Sequence, residues 1–166
     1  MSQRVQAPAY VGLGSNLDDP PAQLRRALDA LARLPDTRLV AQSSFYLNPP
    51  MGPPGQPDFV NAVAALLTTL PARELLRELQ AIEAAHGRRR DGPRWGPRTL
   101  DLDLLIYGRA KSNDGTLTLP HPGIAARPFV LWPLCEVAPG LRLPDGALIA
   151  SLAAAAGDDG LRRLID

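Results

Sequence analysis

A single cysteine, Cys135, occurs among the 166 residues, so the chain can form neither an intrachain disulfide nor a cysteine metal cage. That scarcity fits a reducing compartment, and the cytoplasm is the expected location. An excess of one charge is also missing. Eighteen basic residues face 17 acidic ones for a net +1, which gives no global footing for nucleic acid or a membrane surface. No apolar run approaches the ~18 residues of a membrane span, and residues 1–8 lack the apolar core of a signal peptide. There is no G-x-x-x-x-G-K-[ST] segment. Gly12 and Gly14 are therefore expected to serve a tight strand-to-helix turn rather than a phosphate loop of that type.

What is present suffices for one core. Apolar residues make up 45% of the chain, and at this length one domain over residues 1–166 is the expectation, as a monomer. The densest chemistry lies at 94–107, where an arginine-rich approach meets an apolar segment interrupted by Asp101 and Asp103. In a strand, residues i and i+2 point to one face. In a helix they would lie ~200° apart and could not share a small ion. The pair therefore reads as a divalent-metal clamp on a strand, with Leu102, Leu104 and Ile106 on the opposite face. The competing reading pairs these carboxylates with the neighbouring arginines. Five arginines fall within 88–98, among glycine and proline breakers, and their planar forks match phosphate oxygens. Such a loop is either a solvated basic segment or a lid over a polyphosphate, and Trp95 either anchors it or stacks on a base.

The rest of the chain supplies a frame. Tyr10–Gly14 reads as a first strand, followed by a helix with Leu24, Leu28, Leu31 and Leu34 on one stripe, Pro20 and Pro21 in its first turn and Asp18 or Asp19 as cap. Residues 38–47 read as a second strand. The stretch 48–55, with four prolines, is a stiff loop that either faces solvent or presents backbone groups to a flat ligand. The next strand, 59–67, sets Phe59, Asn61, Val63 and Ala65 on one face. Asn61 either bonds locally or reads a heterocycle edge, and Phe59 is either core or a ring platform. A helix from Pro71 carries Leu75, Leu79 and Ile82, with Glu83 near its C-terminus, where the dipole disfavours a carboxylate. Asn113-Asp114-Gly115 marks a hairpin turn. His121 either meets a phosphate or caps a turn, and His86 has the weaker context. A helical stretch runs from 130 to 137, and Cys135 reads as core. Residues 141–166 read as an edge element, an Asp145-Gly146 turn, an alanine-rich helix and a basic tail without evident chemistry. The order β-α-β-β-α-β is the ferredoxin-like pattern, an α+β fold with additional C-terminal elements.

Taken together, Gly14-Ser15-Asn16, Ser43-Ser44-Phe45-Tyr46 with Pro49-Pro50, Phe59-Val60-Asn61-Ala62, the segment 94–108, Pro120-His121 and Arg127 with Phe129 resemble the 6-hydroxymethyl-7,8-dihydropterin pyrophosphokinases of folate biosynthesis. The resemblance covers about residues 9–145. It implies ATP as co-substrate and two Mg²⁺ held by Asp101 and Asp103. It also implies Arg88 and Arg90 on a closing catalytic loop, and Glu83, Trp95, Arg98, Leu104, His121 and Arg127 around ATP. Phe59 and Phe129 would sandwich the pterin, with Asn61 on its edge and Asn48, Pro50 and Met51 completing its recognition. The chain departs from the usual pattern at Phe59, where tyrosine is common, at Asn48, often threonine, at Asp91, often lysine, and at Pro122, often aromatic. Two other classes compete: a nucleotidyl transferase, which would release pyrophosphate, and a non-catalytic regulatory module, which would not bind MgATP.

Overall fold

The computed structural model describes residues 5–50, 54–87 and 99–164. Six segments follow one another as the sequence order requires: β1 (Ala7–Ser15), α1 (Pro20–Ala32), a divided second strand, β4 (Phe59–Thr68), α2 (Ala72–Ala85) and β5 (Asp101–Tyr107). The second strand divides into β2 (Thr37–Gln42) and β3 (Tyr46–Asn48). The expected continuous strand over 38–47 breaks because Ser43 takes over the pairing: its N–H donates to the Val63 carbonyl at 2.9 Å, and its Oγ accepts from the Val63 N–H at 2.9 Å. A register shift between Leu39 and Ala41 leaves Val40 50% exposed on the way.

The main sheet is antiparallel. Its order is β5-β1-β4-β3, with β2 pairing the far half of β4, which is the ferredoxin-like arrangement. The C-terminal tail adds a short strand, β8 (Arg162–Arg163), against β3. A hairpin of β6 (Ser112–Asn113) and β7 (Thr118–Leu119) stands apart, its turn held by Asp114, whose Oδ1 accepts from the N–H groups of Thr116 and Leu117.

Two apolar clusters cover the two faces of the sheet. On one side α1 and α2 lay Leu24, Leu28, Leu31, Leu75 and Leu79 against Val11, Leu13, Ala62, Ala64, Leu66, Leu102 and Leu104. On the other, α3 (Pro128–Val137) and α4 (Ile149–Ala156) pack Val130, Leu131, Leu134 and Ile149 against Val63, Leu105 and Ile106. The helical and strand periodicities of the sequence account for this division. One expectation changes. Ile106 does not share a face with Leu102 and Leu104 but joins the α3 cluster. The cause is a bulge: Tyr10 opposes Ile106 while Val11 opposes Leu104, so Leu105 is the extra residue and the alternation reverses beyond it.

The cap of α1 also differs. Asp19 holds the N-cap position in a left-handed conformation (φ 61°) and makes no side-chain cap bond. Gln23 instead reaches back, its Nε2 donating to the Asp18 carbonyl at 3.2 Å. No helix among the described residues is long and apolar enough to cross a membrane.

Candidate active site

Strand register assembles the site. Asp101 stands opposite Gly14 of β1, Gly14 opposite Asn61 of β4, and Asn61 opposite Tyr46 of β3. Opposed residues share a sheet face, so these four form one row across four strands. The next row is Asp103, Gly12 and Val63. With neighbouring strands roughly 4.8 Å apart, Asp101 and Asn61 stand roughly 10 Å apart with only a glycine between them. The two carboxylates thus share the face that α3 approaches, as their spacing predicts.

The glycine at 14 is required by its neighbour. A Cβ there would lie 2.7 Å from Asn61 Oδ1 and 3.9 Å from Phe59 Cδ1. Asn61 is 7% exposed and its Nδ2 donates to Asn48 Oδ1, while Asn48 Nδ2 donates to the Pro49 carbonyl at 3.1 Å. Asn48 opposes Phe59 across β3 and β4, so Asn48, Phe59 and Asn61 form one wall, with half-buried Pro50 just beyond it. Phe129 rises from the first turn of α3, half-buried against the second cluster. Arg127, directly before that helix, holds its guanidinium carbon 6.0 Å from the Phe129 ring centroid. It lies so close over Gly123 that a Cβ there would sit 2.6 Å from the guanidinium.

His121 joins this corner. The Gly123 N–H donates to its Nδ1 at 3.0 Å, so in the neutral ring the proton sits on Nε2, which is then a donor. Burial and the nearby Arg127 lower its pKa, against the opposing pull of Asp101. His121 and Pro122 also line a cavity of about 270 Å³ with Asp103, Leu104, Leu76 and Thr116–Thr118, at the edge of end strand β5. The hairpin wall of this cavity is tied to α2 by Arg73, whose Nη1 donates to Thr116 Oγ1 at 3.0 Å and whose guanidinium pairs with Asp114.

Glu83 is only 3% exposed, and its Oε2 accepts from the Leu102 N–H at 2.8 Å, between the two aspartates. It therefore holds the metal-candidate strand from beneath. His86, at the end of α2, bonds through Nδ1 to Gln23 Oε1 at 2.6 Å, and burial, with Arg26, lowers its pKa.

The fold thus gathers Asp101, Asp103, His121 and Arg127 in one region, with Leu104 lining the cavity beside Asp103, and sets Asn48, Pro50, Phe59 and Asn61 on the neighbouring strands, while Phe129 lies beside Arg127. Met51, Arg88, Arg90, Trp95 and Arg98 lie outside the described residues. Sequence reasoning did not single out Thr116–Thr118 or the packing role of Gly14. It also missed the bonds of Asn16, whose Nδ2 reaches Gln56 Oε1 at 3.2 Å and the Pro57 carbonyl at 3.1 Å. Those contacts cross 40 residues and carry no local signature.

The antiparallel sheet, with Asp101 and Asp103 in adjacent rows of the face that carries Asn61, is that of a small α+β protein, and its sequence places it among the pyrophosphokinases, a class of transferases. Sequence comparison makes the assignment specific. The family described as 7,8-dihydro-6-hydroxymethylpterin-pyrophosphokinase (HPPK) matches residues 10–139, and the chain belongs to that family. It is similar to the 2-amino-4-hydroxy-6-hydroxymethyldihydropteridine pyrophosphokinases of Pseudomonas aeruginosa, at 54% identity over 99% of this chain and 98% of that one. The enzyme of the same description from Haemophilus influenzae is 50% identical over 87% of this chain and 89% of that one. Among solved structures, a Plasmodium falciparum HPPK-DHPS with pteroate aligns with a TM-score of 0.73 and 12% identity, covering 96% of this chain. An HPPK-DHPS in complex with substrates aligns with a TM-score of 0.74 and 12% identity, over 98% of this chain. The chain spans 47% of each of those two solved chains, and these likenesses speak to fold alone.

Proposed function

We propose that this chain performs its family's reaction, transfer of pyrophosphate from ATP to 6-hydroxymethyl-7,8-dihydropterin in folate biosynthesis, with a Mg²⁺-dependent site split between two ends of one sheet face. The products are AMP and the pterin diphosphate. The observation that carries the reading is the row Asp101–Gly14–Asn61, which supports a carboxylate end for the phosphates and an amide end for the ring on one open face.

Asp101 and Asp103 fit a hard cation. Among the described residues no group of three or more His, Cys, Asp or Glu gathers, and two carboxylates suit a Mg²⁺ that also takes phosphate oxygens and water. Two Mg²⁺ held there would orient the phosphates and offset charge developing on their oxygens. The cavity beside Asp103, Leu104 and His121 supports nucleotide binding, with the His121 Nε2–H as a donor toward oxygen. Arg127 adds a fixed positive charge beside it. Glu83 acts through β5, holding the strand that carries both aspartates. Phe59 and Phe129 offer the ring two aromatic faces, and Asn61, oriented by Asn48, offers its edge a paired donor and acceptor. Pro50 and, by the family resemblance, Met51 would complete recognition of the ring. The pterin hydroxymethyl oxygen then attacks the β-phosphorus in line, and AMP leaves. Arg88 and Arg90, as the arginines of the family's closing loop, would stabilise the phosphate charge and exclude water, and Trp95 and Arg98 would lie around ATP. The protein works as a monomer in the cytoplasm.

The test is incubation with ATP, Mg²⁺ and hydroxymethyldihydropterin while AMP is followed. AMP that forms only with pterin and Mg²⁺ present supports the reading. Release of pyrophosphate, or AMP formation that ignores the pterin, refutes it.

A further inference from the structure

Glu136 occupies a costly place. It is the penultimate residue of α3, where the helix dipole disfavours a carboxylate. Four contacts offset that cost. Its Oε2 accepts from the Ser44 N–H at 2.9 Å and the Ser44 hydroxyl at 3.0 Å, and its Oε1 accepts from the Tyr46 hydroxyl at 2.6 Å. Arg163 of β8 stands 3.5 Å from Oε1, donates to the Tyr46 hydroxyl at 3.1 Å, and holds its guanidinium carbon 5.6 Å from the Tyr46 ring centroid. Burial alone would raise the Glu136 pKa, but the bonds from Tyr46 and Ser44 and the Arg163 charge bring it below the ordinary carboxylate value.

What these contacts join matters more than their number. Phe129 and Glu136 are seven residues apart on α3, which puts them on one face and roughly 10 Å apart along the axis. Pro133 lies between them and cannot donate to the Phe129 carbonyl, so α3 has one bond fewer between its ends and relies more on its anchors. Opposite them, Tyr46 and Asn48 alternate onto one face of β3, where Tyr46 opposes Asn61 and Asn48 opposes Phe59. The helix carrying one aromatic wall and the strands carrying the other are therefore fastened at one end by Glu136.

We propose that Glu136, with Ser44, Tyr46 and Arg163, is a positioning clamp that sets the gap between the Phe129 wall and the Phe59–Asn61 wall, and so tunes affinity for the pterin ring. This rests on the pterin reading of those walls. Glu136 touches no substrate and acts through the placement of α3. The carboxylate is needed because all four bonded groups donate to it. In Glu136→Gln the amide nitrogen becomes a donor facing either Ser44 or a Tyr46 hydroxyl that already receives Arg163.

The test uses the full chain with 6-hydroxymethylpterin as a stable ring probe and a non-hydrolysable ATP analogue with Mg²⁺, each titrated calorimetrically. Glu136→Gln should weaken the pterin probe about tenfold, as expected for coupled residues, and leave the nucleotide analogue within twofold. In a Phe129→Ala background, itself weakened for the ring, Glu136→Gln should add nothing, because the gap it sets no longer has two walls. Unchanged pterin affinity in Glu136→Gln overturns the clamp. So does an equal loss for nucleotide, or a full additional loss in the Phe129→Ala background, since either marks a merely global effect. Unchanged pterin affinity in Phe129→Ala itself refutes the ring-sandwich reading, and the clamp with it. Tyr46→Phe, which keeps the ring and drops one bond to Glu136, should give a smaller loss of the same selectivity.

Discussion

Replacing Gly14 by alanine tests the arrangement at its narrowest point. Gly14 does not use a left-handed φ, so alanine costs nothing in backbone strain there. The whole effect comes from one methyl group, placed 2.7 Å from Asn61 Oδ1, closer than carbon and oxygen tolerate. Asn61 cannot simply swing aside, because its Nδ2 is bonded to Asn48 and the residue is 7% exposed. Either the amide leaves its partner or β1 and β4 separate locally. Loss of one or two buried amide bonds to the ring corresponds to about 1–3 kcal/mol, or about five- to 150-fold in pterin Kd. Gly12→Ala is the control on the same strand and face: its Cβ meets only the Leu105 side chain at 3.5 Å, an ordinary contact. Calorimetric titration of both variants with the pterin probe and with MgATP analogue should show Gly14→Ala weak for pterin alone and Gly12→Ala near the parent. If Gly14→Ala binds pterin within twofold of the parent, Asn61 does not read the ring from the position described.

The remaining expectations are simpler. Asp101→Ala and Asp103→Ala should each lower Mg²⁺-dependent turnover at least about 100-fold, since each would remove one of the two proposed carboxylate ligands; AMP formation unchanged in either variant removes the metal assignment. Leu131→Ala, at a fully buried position of α3, should destabilise the fold by about 2–5 kcal/mol in urea titration, and a loss under 1 kcal/mol would mean that this helix is not packed as described. The Glu136 clamp should also show in acid. Its folded pKa lies below the ordinary 4.5, so its stabilisation is fully present above that value and is lost as pH falls through the lower folded one. The urea midpoint difference between the parent and Glu136→Gln should therefore be level above pH 4.5 and shrink below it; a difference that grows on acidification contradicts the sign.

The i, i+2 spacing of Asp101 and Asp103 alone determined that both carboxylates share a strand face, and the leucine stripes of α1 and α2 determined which helix sides are buried. These are local periodicities, fixed by backbone geometry. The βαββαβ order likewise followed from the succession of such patterns. Tertiary structure decided the rest. The break at Ser43 arises because its side chain satisfies a backbone group 20 residues away, and the bulge at Leu105 turns Ile106 to the α3 side; neither leaves a turn signal in the sequence. The tail, read as basic and without evident chemistry, forms a short strand at Arg162–Arg163, where Tyr46 and Glu136 give Arg163 a place to bind. Gly14 needed to be small for the sake of Asn61, a demand visible only when the two strands are in register. Position along the chain fixed what each residue is able to do, and long-range register fixed what it does it to.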